Sequence, residues 1–209
     1  MGLIATISAL VLSLLVASAS TSYDRQRSEL QALSANIIQL DQTLESYGPR
    51  AKVARDRLRD AVNQVHDRIW SPDGVRPEDL NSEKTRDTAK ADVAQLHRLS
   101  PTTDIERTLQ SRAMQLSDDI MQARLLMFVQ LGSSIPLPFL TVLVFWICVL
   151  FLGFGLFARF NTTVTVAFLV GALSVAGAIF LILELSEPYR GLMRISDEPL
   201  RNAIAQIDR

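Results

Sequence analysis

Residues 139–184 read FLTVLVFWICVLFLGFGLFARFNTTVTVAFLVGALSVAGAIFLILE. Two uncharged runs lie here, Phe139 to Ala158 and Phe160 to Leu183, of 20 and 24 residues. A helix needs roughly 20 apolar residues to cross the bilayer core. Only Arg159, Phe160, Asn161 and the pair Thr162-Thr163 part the two apolar cores, so the stretch reads as a hairpin of two membrane-spanning helices. Thr162 or Thr163 is the expected cap of the second. Phe139, Phe157, Phe160 and Tyr189 fall at span ends, where aromatic rings favour the interface. Trp146 lies too deep for that role and is expected to pack on another helix.

A third run, Gly2 to Tyr23, has 22 residues without a charge. The three runs leave all 43 charged residues to the remaining 143, which are about 30% charged. A soluble domain distributes its charges more evenly. Val16-Ala17-Ser18-Ala19-Ser20 resembles the small-residue end of a signal peptide. The apolar part is long, though, and no basic residue precedes it, which favours a retained helix. Arg25, Arg27, Arg124, Arg190 and Arg194 flank the spans on the side of the polar segment, against Arg159 on the other. That bias is expected to place the polar domain and the carboxy terminus in the cytoplasm.

Residues 24–130 carry 16 basic and 17 acidic side chains. Leu30, Leu33, Ile37, Leu40, Leu44 and Tyr47 follow three-four spacing, a coiled-coil stripe. The same spacing runs backwards through Gln26, Tyr23, Ala19, Val16, Leu12, Ala9 and Ala5. One helix from Gly2 to Tyr47, roughly 70 Å long at 1.5 Å per residue, is therefore expected. Two helices in register are the alternative. Gly48-Pro49 ends it. Val53, Leu58, Val62, Val65 and Ile69, with Ala54 and Ala61 alongside, mark the face of a second helix. Ser71-Pro72-Asp73-Gly74 is a turn cluster, and Pro77-Glu78-Asp79 suits the start of a short helix. Helix is expected again over residues 85–99. Thr103-Asp104-Ile105-Glu106 fits a capping box, opening a helix that runs to Leu131. Gly132 to Pro136 breaks it, and Ser196 can cap an amphipathic tail.

The expected fold is all-α: an integral membrane helical bundle with three transmembrane helices and a cytoplasmic antiparallel helical domain. The expected divisions are 2–23, first span; 24–131, polar domain; 139–158, second span; 160–184, third span; and 191–209, amphipathic tail.

No catalytic constellation stands out. His66 and His97 are the only histidines, neither with a second ligand at metal spacing, and read as exposed or partner-capped helix residues. Cys148, the single cysteine, lies inside a span and reads as a small hydrophobe. Phosphate loop, dinucleotide fingerprint and serine elbow are all missing. Neither enzyme activity, a cofactor nor a metal is expected, and a net charge of −1 disfavours nucleic acid. The expected partners are the lipid bilayer and either further copies of the chain or other membrane subunits. The most specific pattern lies in the first span. Ala5, Ala9, Ser13, Ala17 and Thr21 are spaced by four, and Thr6, Ser13 and Ser20 by seven. Such a ridge allows close helix packing, with hydroxyls on their own carbonyls, or lines a narrow polar path. Gly171, Ala172, Ser174, Ala176, Gly177 and Ala178 repeat the theme in the third span. Glu184 ends that span, with Arg190 or Arg194 as expected partners.

Phe154 to Ala158, Asn161 to Val164, Ala172 to Leu185, and Glu187-Pro188-Tyr189-Arg190-Gly191-Leu192 resemble the bestrophin-like membrane family of bacteria. Pro199 to Ala203 and Gly2 to Asp24 fit as well. Asn161, Glu184, Glu187, Pro188, Tyr189 and Gly191 form the motif at the membrane end. The resemblance implies a membrane protein related to bestrophins, which are pentameric anion channels, and hence an oligomeric ion channel or channel-like pore. It implies one further transmembrane helix before Met1. Family members carry an acidic residue where Ser186 stands, so that carboxylate's role falls here to Glu184 or Glu187, if to any. Bestrophin necks are lined by bulky apolar and aromatic side chains, whereas the first span here has no Phe. Two other readings stand beside the channel: a helical scaffold or accessory subunit, suggested by the heptad stripe, and a sensor of reversed topology.

Overall fold

The computed structural model describes residues 2–70, 91, 93–131, 137–157, 161–186 and 192–208. Among them every regular element is helical. The helices are α1 (Gly2–Tyr47), α2 (Lys52–Ile69), α3 (Asp104–Leu131), α4 (Leu137–Phe157), α5 (Thr162–Leu185) and α6 (Glu198–Ile207), with a helical stretch at 93–97. The chain divides into two compact units. One comprises residues 1–25 and 134–193, the other 26–133 and 194–209.

α1 is a single helix of 46 residues, as the unbroken spacing predicts. Its polar half supplies the core of the second unit. Leu30, Leu33, Ile37, Leu40, Leu44 and Tyr47 are all at most 5% exposed. Leu40, Leu44 and Tyr47 cluster with Ala51, Ala54, Leu96, Leu99, Ala113 and Leu116. The heptad stripe is thus covered by the chain's own helices. A three-four pattern requires only an apolar partner surface, and the chain provides one.

Gly48 ends α1 at φ 98°, a left-handed conformation that suits a residue without Cβ. Pro49 then opens a 3-10 turn, Pro49–Ala51, that leads into α2. Across this corner Asp41 and Arg55 pair through two bonds, Nε–Oδ1 and Nη2–Oδ2, both 2.8 Å. The Asp41 side chain is 6% exposed and that of Arg55 23%. The paired carboxylate raises the Arg55 pKa, against an opposing effect of burial.

α3 starts with the expected capping box. The Glu106 backbone N–H donates to Thr103 Oγ1 at 3.1 Å, and Glu106 Oε2 accepts from the backbone N–H groups of Thr103 and Thr102. These bonds, the Thr102 hydroxyl and nearby Arg50 lower the Glu106 carboxyl below its ordinary value. Gln110 Nε2 donates to the carbonyls of Leu96 (2.9 Å) and Leu99 (2.8 Å), fastening the chain before α3 onto it.

α6 docks on α2 in reverse order. Arg59 holds the Ile207 carbonyl at 2.5 Å and Asp208 at 2.8 Å. His66 Nε2 faces Asp197 at 3.4 Å, and the Trp70 indole N–H donates to the Ile195 carbonyl at 3.2 Å. Leu200, Ala203 and Ile207 are buried beneath. The tail is amphipathic as expected and belongs to the polar unit. Asp197 stands at the N-cap, while the expected Ser196 hydroxyl accepts the Glu198 N–H at 3.2 Å.

In the other unit α1, α4 and α5 are long and apolar enough to cross a bilayer. α4 and α5 run 137–157 and 162–185; the expected bounds at 158 and 160 lie outside the described residues. Asn161, in extended conformation, is the N-cap of α5 in place of Thr162 or Thr163. Both threonines already lie inside the helix. Phe151 and Phe168 meet at 6.0 Å, and a Cβ on Gly171 would rest 3.6 Å from Phe151. Trp146 departs from expectation: it is 43% exposed, with an edge contact to Phe145. Leu143 and Leu150 fill the buried positions of α4, and Trp146 stands beside them. Residues 71–74, 77–79, 85–90 and 132–136, where turns and a helix are expected, lie outside the described residues.

Candidate functional site

The membrane unit presents a wide apolar surface. Leu10, Leu14, Leu152, Leu156, Phe157, Leu169 and Leu173 are each more than 60% exposed. A water-soluble chain rarely shows such a surface, whereas helices with internally satisfied backbones suit the bilayer. The unit is membrane-spanning.

Within it, one face of α1 differs from the rest. Ala9, Ser13, Ala17, Ser20 and Thr21 are exposed and Ala5 half-buried. Thr6, Ser13 and Ser20 lie within one narrow sector of the helix, at roughly 100° per residue, and all three are exposed. Leu12, Val16 and Tyr23 are half-buried and Ala19 is 3% exposed. The helix therefore packs by its Val16–Ala19 side and leaves its small, hydroxyl-bearing side open. Thr6 Oγ1 donates to the Gly2 carbonyl (3.0 Å) and Thr21 Oγ1 to the Ala17 carbonyl (2.9 Å). Such local bonds satisfy the hydroxyl proton and leave lone pairs facing outward. Ser174 on α5 does the same toward Val170, at 2.9 Å.

At the end of α5, Glu184 Oε1 accepts the backbone N–H groups of Leu192 and of Met193, the latter at 2.8 Å. The carboxylate thus holds the backbone at Leu192 and Met193; Arg190, one of its two expected partners, lies outside the described residues. Ser186 Oγ donates to the Ile182 carbonyl at 2.5 Å, so its position serves the end of the helix. Asn161 is exposed. Glu187, Pro188, Tyr189 and Gly191 of the membrane-end motif lie outside the described residues, as does Arg190.

No group of three or more histidine, cysteine or acidic side chains capable of holding a metal occurs among the described residues. His97 is exposed. His66 lies between Asp67 (3.3 Å) and Asp197 (3.4 Å) and stacks on Trp70 at 5.5 Å. Sequence reasoning missed the contact of His66 and Arg59 with the tail. The partners are 131 to 149 positions apart, so the sequence held no local signal for this contact.

Solved structures share this fold, among them the following three. Two are single-residue variants of a bacterial bestrophin homologue from Klebsiella pneumoniae. One aligns at TM-score 0.79 with 11% identity, over 99% of this chain and 84% of that one. The other aligns at 0.76 with 12% identity, over 100% and 87%. A structure described as a membrane protein aligns at 0.78 with 11% identity, over 99% and 84%. No curated protein sequence matches. The profile of the Bestrophin-like domain matches residues 1–200, and the chain belongs to the Bestrophin-like family.

Proposed function

We propose that the chain is a subunit of an oligomeric ion channel or channel-like pore in the bacterial inner membrane. The open face of α1 carries this reading. Ala9, Ser13, Ala17, Ser20 and Thr21 are exposed in the single chain, and small hydroxyl-bearing faces suit close packing against neighbouring helices or a narrow polar path. With Ala5 they form the proposed lining or subunit contact. The bestrophin resemblance supports a closed ring. The excess of arginine beside Gln26 to Leu131 supports a cytoplasmic polar unit and carboxy terminus. Asn161 is proposed to shape one end of the third span and Glu184 with the segment through Gly191 the other, Glu184 holding the backbone at Leu192 and Met193. The scaffold reading rested on a heptad stripe offered to a partner. That stripe is consumed inside the chain, which weighs toward the channel.

Native mass spectrometry of gently solubilised full-length protein, with image class averages, tests the proposal. A ring of identical subunits with an axial opening is expected. A monomer, or one copy bound to unrelated chains, would overturn it and favour the accessory role.

A further inference from the structure

The last turns of α3 carry an exposed apolar stripe. Met121, Leu125, Leu126 and Val129 are 38%, 59%, 45% and 60% exposed. Met121, Leu125 and Val129 are spaced by four and share one face, turned away from the buried Leu116 and Met127. On the preceding turns the same face is polar, with Ser111, Gln115 and Asp118 exposed. The change falls between Asp118 and Met121, so the apolar part is confined to the end of the helix. Two observations say where that end lies. Arg50, just past α1, approaches Glu106 at 3.8 Å, and Arg112 Nη2 donates to Gln39 Oε1 at 3.3 Å, so α3 climbs antiparallel to α1. Leu125 is thirteen residues beyond Arg112, and Gln26 thirteen before Gln39. At an equal rise of about 1.5 Å per residue the two reach one level. Gln26 stands three residues after the uncharged run that ends at Tyr23. The second observation is covalent: α3 ends at Leu131 and the apolar α4 starts at Leu137, a link that spans at most about 22 Å.

We propose that this stripe is an interfacial lipid-binding surface. Met121, Leu125, Leu126 and Val129 sink into the boundary between headgroups and acyl chains, while the polar face before them stays in water. Gln122, exposed on the same face, meets the headgroups. Amphipathic helices at this boundary bury their apolar side by about 5–10 Å. The occupant is the bilayer rather than a second copy of the chain, because the apolar surface begins only near the level where the charges of α1 begin. A contact between copies along α3 would continue past Asp118. The binding depends neither on conduction nor on the number of subunits.

The test uses full-length protein in phosphatidylcholine nanodiscs, with nitroxide labels on single cysteines in a Cys148→Ser background. Labels at Leu125→Cys and Val129→Cys are compared with one at Ser111→Cys, on the polar part of the same face. Power saturation reads collision with oxygen, which concentrates among acyl chains, and with a nickel chelate, which stays in water. The oxygen-to-nickel ratio should be several-fold higher at positions 125 and 129 than at 111. Equal nickel access at all three would overturn the inference. Exclusion of both reagents from 125 and 129, the mark of a second copy or another protein on the stripe, would overturn it too. A second measurement leaves the sequence unchanged. A phosphatidylcholine with a diazirine near the carbonyl end of one acyl chain is photolysed in the nanodisc, and adducts are mapped by peptide mass spectrometry. Adducts over residues 121–129 are expected, and labelling confined to α1, α4 and α5 would contradict the proposal.

Discussion

Removing either member of the Asp41–Arg55 pair should destabilise the polar unit, but by unequal amounts. The pair is bidentate, with two 2.8 Å bonds. Its members differ in surroundings. The Asp41 side chain is 6% exposed, that of Arg55 23%, and Glu45 Oε1 lies 3.6 Å from Arg55 Nη1. After Asp41→Asn, the guanidinium keeps Glu45 and partial access to water, so the loss is about 1.5–3 kcal/mol, the scale of a charged hydrogen bond. After Arg55→Met, a nearly dry carboxylate is stranded without its cation. Loss of one partner from a buried pair costs about 3–5 kcal/mol. The double variant removes the stranded charge, so its loss should fall short of the sum by about 1–2 kcal/mol, within the range for residues in contact. The assay is denaturant unfolding of the full chain in detergent, followed through Trp70 with Trp146 changed to Phe. Trp70 reports the right unit, because its indole is bonded to the Ile195 carbonyl. A loss for Arg55→Met no larger than that for Asp41→Asn, or strict additivity in the double variant, would refute the reasoning.

Leu44→Ala removes a side chain that is 1% exposed at the centre of the α1–α3 cluster. It should cost about 3–5 kcal/mol in the same unfolding assay. The Glu106 carboxyl is lowered in the folded chain, so its capping contribution is present above the ordinary carboxylate range and disappears as pH falls through the depressed value. Amide exchange over Thr102 to Arg107 should accelerate in acid, and Glu106→Gln should remove that pH dependence. Arg59→Ala breaks the hydrogen bond to the Ile207 carbonyl and the ion pair with Asp208. Amide exchange in α6 should rise several-fold, corresponding to about 1 kcal/mol for a partly exposed contact, while exchange in α5 stays unchanged.

The long elements were legible because their signals are local and repeated. α1 runs unbroken across residues 2–47 because the apolar spacing never slips register between the uncharged run and the charged one. Gly48-Pro49 and the Thr103/Glu106 box mark their boundaries through backbone chemistry that needs no tertiary contact. The partner of the stripe was not legible. A three-four repeat demands an apolar surface without saying whose, and Leu40, Leu44 and Tyr47 find theirs in α2, Leu96, Leu99 and α3. The tail latch was hidden for another reason. Arg59 and Asp208 lie 149 positions apart, so no local pattern joins them. Trp146 shows the same limit: depth in a span says that a ring avoids the interface, not which helix it meets. The open face of α1 was legible as a spacing, and its exposure required the fold, since packing by the Val16–Ala19 side decides which face remains.

The central claim is that the chain forms a pore, with this face as its proposed lining. Ser13→Cys tests it most directly, in a Cys148→Ser background, because Cys148 is the only cysteine and is exposed. Purified protein in a planar bilayer with potassium chloride on both sides is treated with a small charged methanethiosulfonate. The account predicts conductance above that of protein-free membranes and its abrupt reduction when Ser13→Cys is modified, with no change in the cysteine-free parent. Absence of conductance, or complete modification at position 13 that leaves the current unaltered, would contradict it.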